Sequence, residues 1–231
     1  MRYLFLFLLV GNGLFLSAQK NLEGGLIGGG LYYLGDINPN RHFYSTKLGG
    51  GLFMRQNLNK RWGIRADIIA GTLSADDNAS SSNYQKVRNL HFNTPLLEIV
   101  TQFEFNFLPY KLGTKRNTSP YTPYFATGLG FLLVTNSVNP YNVTLPLSLG
   151  LKLAVTKKLE VGVEWSFRKT FSDYIDNLSG DTYDLSSMEN KSSTKHKQMA
   201  FFYGKDWYSF AGIFITYKIF QQESVCKAYD F

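Results

Sequence analysis

From Val143 to Val155 the chain alternates without a break. Val143, Leu145, Leu147, Leu149, Leu151, Leu153 and Val155 fall on one parity, and Thr144, Pro146, Ser148, Gly150, Lys152 and Ala154 on the other. Successive side chains of a strand point to opposite faces, so this segment presents an aliphatic wall on one side and small or charged groups on the other. Period 2 held for 13 residues is long for a soluble strand. It matches a membrane-crossing strand, which needs about 9 to 11 tilted residues with apolar groups toward lipid.

The pattern repeats. Leu97, Ile99, Thr101, Phe103, Phe105 and Phe107 oppose Glu98, Val100, Gln102, Glu104 and Asn106; Leu159, Val161, Val163, Trp165 and Phe167 oppose Glu160, Gly162, Glu164, Ser166 and Arg168. Trp62 to Ala70 alternate against Gly63, Arg65, Asp67, Ile69 and Gly71, and Leu48 to Met54 alternate against Lys47, Gly49, Gly51, Phe53 and Arg55. Tyr121–Val134 and Trp207–Phe220 are strands by composition. The glycine-rich Leu22–Tyr33, whose facing is left open, completes eight. A soluble sandwich or lipocalin-like barrel alternates too, but strand length and the alternation of short and long links favour an all-β, eight-stranded antiparallel transmembrane β-barrel.

With the N-terminus of the barrel in the periplasm, the short links Asn57–Arg61 and Thr156–Lys158 fall on that side, together with a longer basic one, Pro109–Pro120. Long links fall outside: Asp36–Phe43, Ser74–Arg88, Thr135–Tyr141 and Ser172–Lys205, the last polar enough for a mobile loop or extra hairpin. Aromatic girdles are expected from Trp62, Tyr121, Tyr124, Tyr217 and Phe220 at the inner boundary, and from Tyr33, Tyr44, Tyr141, Trp207 and Tyr208 at the outer. The polar parity places Lys47, Arg55, Arg65, Lys152 and Arg168 in the lumen against Asp67, Glu98, Glu104, Glu160 and Glu164. Buried charges must pair, and eight strands leave room only for side chains, so a salt-bridged plug without a conducting pore is expected.

Met1–Ala18 carries one basic residue, Arg2, then an apolar run and Ser17-Ala18, the pattern of a cleaved secretory signal peptide. Residues 1–18 are thus read as signal peptide, 19–220 as barrel and 221–231 as a periplasmic tail, with the protein integral to the outer membrane and both termini periplasmic. The formal charge of +7 becomes +6 without Arg2. The Lys and Arg residues are scattered over loops and lumen, which favours contact with lipopolysaccharide over nucleic acid.

Catalytic signals are poor. Pairs of lumenal carboxylates are better read as structural ion pairs than as glycosidase acid and base. His42, His91 and His196 show no metal-ligand spacing and no serine arrangement of a lipid A deacylase, and are read as solvated. No helix follows Gly24, Gly25 and Gly28–Gly30, so they form no phosphate loop and are read as admitting bulky lumenal neighbours. No enzyme activity, cofactor or metal is expected.

The tail QQESVCKAYDF holds the only cysteine, Cys226, with Tyr229 and Phe231 beside it. A lone Cys in an oxidising compartment is an intermolecular disulfide or a packed thiol. The glycine-rich first strand ending in YYLGDINP (Tyr32–Pro39), the last strand YGKDWYSFAGIFITYKI (Tyr203–Ile219) and the Cys-containing aromatic tail resemble the Bacteroidetes outer-membrane barrels of the PorG type. That resemblance implies a component of the type IX secretion system, associated with gliding motility in some relatives. Such a component ties the outer membrane to a periplasmic ring of PorK-type lipoprotein and PorN-type protein. In this reading Cys226, Tyr229 and Phe231 supply the partner contact. The alternative is an opacity-like surface barrel whose long outer loops bind host or matrix components.

Overall fold

The computed structural model describes residues 21–34, 42–76, 91–113, 118–135, 140–171 and 207–221. They form eight strands: β1 (Asn21–Leu34), β2 (Lys47–Asn57), β3 (Trp62–Asp76), β4 (His91–Asn106), β5 (Tyr121–Val134), β6 (Tyr141–Ala154), β7 (Leu159–Thr170) and β8 (Trp207–Gln221). Each pairs antiparallel with the next, and β8 pairs back onto β1 over Asn21↔Gln221 to Leu34↔Trp207, closing the barrel. Closure leaves no sheet edge, so every strand finds backbone partners on both sides, as a lipid environment requires.

The alternation carries into the structure strand by strand. On β6, Thr144, Pro146, Ser148 and Lys152 are buried, while Val143, Leu149, Leu151 and Leu153 are exposed. Leu52, Ile68, Ile99, Phe103, Leu129, Val163, Ile213 and Ile215 continue the exposed wall around the barrel. A soluble barrel would put its charges on this face. Here Arg55, Arg65 and Arg168 are among the largest fully buried side chains. Apolar outside and charged inside is the arrangement of an outer-membrane barrel.

Both ends of the barrel differ from the sequence expectation in which aromatics reach lipid. Trp62, Phe107, Tyr121 and Tyr217 are exposed at the end that carries the termini, and Phe43, Tyr141 and Phe171 at the other. Tyr33, Tyr124 and Tyr208, expected in the girdles, lie on the inward parity and are fully buried. Where a neighbouring strand offers glycine, a lumenal ring takes the space: a Cβ at Gly150 would sit 2.5 Å from the Tyr124 ring, and one at Gly162 only 2.2 Å from Phe214. In β1, only Gly25 has the expected role, facing Phe53. Gly24, Gly28 and Gly30 lie on the outward parity, and an added Cβ at Gly28 would meet nothing.

Candidate functional site

The lumen is built in layers. Nearest the termini, the Arg55 guanidinium meets three carboxylates: Glu160 at 2.7 Å, Glu104 at 3.2 Å and Glu23 at 3.3 Å. Lys152 pairs with Glu104 and donates to Asn106 Oδ1 at 2.9 Å. In the middle layer Arg65 makes a two-pronged contact with Glu164 at 2.6 and 3.0 Å and reaches Asp67 at 2.9 Å. The Tyr124 hydroxyl donates to Glu164 at 2.5 Å, and Gln102 donates to Asp67 at 2.7 Å. Beyond them Arg168 pairs with Glu98 at 2.7 Å, and Thr144 donates to the same carboxylate at 2.6 Å. Arg55 and Arg65 are direct cross-strand partners. Like charges facing each other destabilise a sheet unless each is neutralised elsewhere, and here each guanidinium is met by carboxylates, with Glu104 reaching both, and lies over the Phe53 ring.

The five expected lumenal cations and five carboxylates require one exchange and one addition. Lys47 is exposed at the end of β2 far from the termini. Glu23 and Lys218, partners across the β1–β8 seam next to a register shift, are buried instead. Among the described residues the interior therefore holds six carboxylates and five cations. Among those residues no group of three or more His, Cys, Asp or Glu is arranged to hold a metal ion.

The end that carries the termini is closed by the chain itself. The first part of the β4–β5 link, 107–113, folds under the mouth: Tyr110 and Leu112 are buried, and the inward Lys218 ammonium donates to the Leu112 carbonyl. Gly113 makes this turn possible with φ of 80°, a left-handed conformation that glycine adopts without strain. The Tyr110 hydroxyl faces Glu160, and burial first and that carboxylate second push its pKa above the ordinary phenol value. Backbone bonds fasten the link to its neighbours, from Tyr110 N–H to the Lys60 carbonyl at 2.8 Å and from Ala154 N–H to the Pro120 carbonyl at 2.8 Å. Arg61 donates to the Phe107 carbonyl at 2.9 Å, and Lys218 N–H to the Lys158 carbonyl at 2.9 Å. The three turns at this end thus form one connected floor.

At the opposite half, the outer wall carries a small polar cluster. Residues 42–46 fold over β1, with Phe43 and Ser45 in left-handed backbone conformations. His42 is exposed, as expected of a surface histidine, while its Nδ1 lies 3.4 Å from the Tyr32 hydroxyl and its ring packs edge-on against Trp165 and Phe167. Trp165 Nε1 donates to Tyr32 at 2.9 Å and to Ser209 at 3.1 Å, while the Ser209 hydroxyl donates to the Ser166 carbonyl at 2.9 Å. The histidine meets a phenol rather than this serine, so the cluster does not form a serine–histidine nucleophile.

A family described as a domain of unknown function, DUF6089, matches residues 1–228. This chain belongs to the DUF6089 family. No curated protein matches it in sequence. Among solved structures it is similar to Neisserial surface protein A, with 10% identity over 86% of this chain and 96% of that one and a TM-score of 0.44. It is also similar to Ail, the attachment invasion locus protein of Yersinia pestis, in complex with the heparin analogue sucrose octasulfate. There the identity is 9%, coverage 87% of this chain and 99% of that one, and the TM-score 0.45. The outer membrane protein OprG of Pseudomonas aeruginosa gives 8% identity, 88% and 98% coverage and a TM-score of 0.43.

In this DUF6089 chain the residues singled out for partner contact, Cys226, Tyr229 and Phe231, lie outside the described residues, as do the signal segment 1–18 and the link 172–205. The closing floor was not read from the sequence. Its signal was present in the length of the β4–β5 link, which exceeds the other turns at that end, and in the apolar pair Tyr110 and Leu112 within an otherwise basic stretch.

Proposed function

We propose that this chain is a non-enzymatic outer-membrane component of a type IX secretion machinery, anchoring a periplasmic ring of PorK-type and PorN-type proteins to the outer membrane. The reading rests on the resemblance to PorG-type barrels, and one observation carries it further: the end holding the termini is a tied and closed floor. A barrel whose lumen is filled by its own ion pairs and whose mouth is covered has its ends left as working surfaces. A rigid floor is suited to holding a load against the membrane, since little ordering cost is then due on binding.

In this reading the floor faces the periplasm and the tail that leaves β8 beside it, with Cys226, Tyr229 and Phe231, completes the contact. Lipid and lipopolysaccharide surround the barrel. Affinity purification of the full-length protein in mild detergent, with identification of co-purifying chains, is the test. Retention of PorK-type and PorN-type proteins supports the anchor. Their absence, with retention of host or matrix components through the opposite loops, replaces it with the surface-binding alternative.

A further inference from the structure

The two ends of the barrel carry different charge. The turns at the terminus end, 57–61, 107–120 and 155–158, contain seven Lys and Arg residues and no Asp or Glu. The segments linking strands at the other end, 35–46, 77–90, 135–140 and 171–206, contain eight acidic residues against seven Lys and Arg. The nearest carboxylates inside the terminus end, Glu23, Glu104 and Glu160, are buried and engaged by Arg55. The basic side chains of the floor are therefore not neutralised from within the barrel.

Two of these cations, Lys111 and Lys157, line a cavity. A groove of about 510 Å³ lies between the 107–120 and 155–158 turns, with Lys111 and Lys157 on its rim, Thr118 and Ser119 along a side, and Pro120 and Val155 among its apolar lining. Lys111 stands between the two residues that close the mouth, Tyr110 and Leu112. Its position is set by the floor of the barrel rather than by the lipid-facing perimeter. A groove with cations on the rim, hydroxyls on the wall and an apolar lining is complementary to a carboxylate-bearing polypeptide that also places an apolar side chain.

We infer that this basic groove grips an acidic segment of a periplasmic protein partner, with Lys111 and Lys157 of its lining, and Lys158 next along the same turn, as the charge-recognising residues. The inference rests on the anchor reading for the side of the membrane the floor faces and for the identity of the partner. The ammonium groups supply attraction and orientation, and the groove supplies the fit. Such a contact is weakened by salt because exposed charges are screened within about 8 Å at physiological ionic strength.

The test uses the full-length barrel in phosphatidylcholine nanodiscs with fluorescein-labelled polyglutamate as probe. The wild type should bind it, and the variant combining Lys111→Gln, Lys157→Gln and Lys158→Gln should bind about tenfold more weakly while keeping its heat-modifiable fold. A variant with Lys47→Gln and Lys169→Gln, on strands near the other end, should match the wild type. Equal binding by the triple variant overturns the inference. So does a wild type that ignores polyglutamate but retains phosphatidylglycerol through these lysines, which assigns them to lipid headgroups. Co-purification separates this inference from the anchor reading. Ring proteins retained equally by wild type and triple variant remove the groove as their contact and leave the anchor standing. No ring protein on the wild type, with the polyglutamate pattern intact, removes the anchor and leaves an acidic-segment site.

Discussion

At the scale of single residues, the interior is held by charges that have no alternative but one another. Glu164 accepts from both Arg65 and Tyr124, so Glu164→Leu leaves the guanidinium with Asp67 and only a long contact to Glu104 at 3.9 Å. The expected cost is about 3–5 kcal/mol, the range for breaking a buried pair from one side. Adding Arg65→Met should recover much of it, and urea unfolding in lipid vesicles measures both. Strict additivity of the two substitutions would contradict the pairing. On the outer wall, Leu149→Arg should cost about 2–4 kcal/mol near the midplane, whereas Leu149→Phe, which keeps the face apolar, should stay near wild type. Ser148 is no fair control for an arginine, because it is buried between Gln102 and Ser166.

At the scale of elements, strand facing was legible wherever parity separated leucine from charge, as on β6, β4, β3 and β7. Two kinds of information were not. β1 is glycine-rich, and glycine marks neither face, so Glu23 could be placed only once the pairing with β8 was known. The aromatics Tyr33, Tyr124 and Tyr208 are equally at home at a headgroup interface or in a lumen. For Tyr124 what decides is Gly150 on the adjacent strand, and that is a matter of register. Gly162→Leu should therefore cost about 1–3 kcal/mol by overpacking against Phe214, and Phe214→Leu should restore part of it. Gly28→Ala, which meets open space, should leave the unfolding midpoint close to wild type. A larger loss at Gly28 than at Gly162 would mean the register is wrong. The floor escaped sequence reading because a basic link looks like a solvated loop until Tyr110 and Leu112 are seen beneath the mouth.

At the scale of the whole molecule, a lumen packed with ion pairs and closed at one mouth should pass no ions. Planar-bilayer recording of the purified barrel should show no stable conductance, and a reproducible open state would mean the interior packing or the floor does not persist. The eight-strand closure and the inverted polarity followed from alternation taken together with strand length and the short-and-long pattern of links, since a soluble barrel alternates as well. Which end performs the work did not follow, because binding surfaces carry no such period. The most direct measurement is secretion and ring retention in cells carrying either a deletion of 222–231, which stops after the last seam pair Asn21↔Gln221, or a deletion of most of 172–205. The anchor account predicts a folded, heat-modifiable barrel in both cases, with secretion and ring retention lost in the first and kept in the second. Normal secretion without 222–231, together with lost function without 172–205, would contradict it.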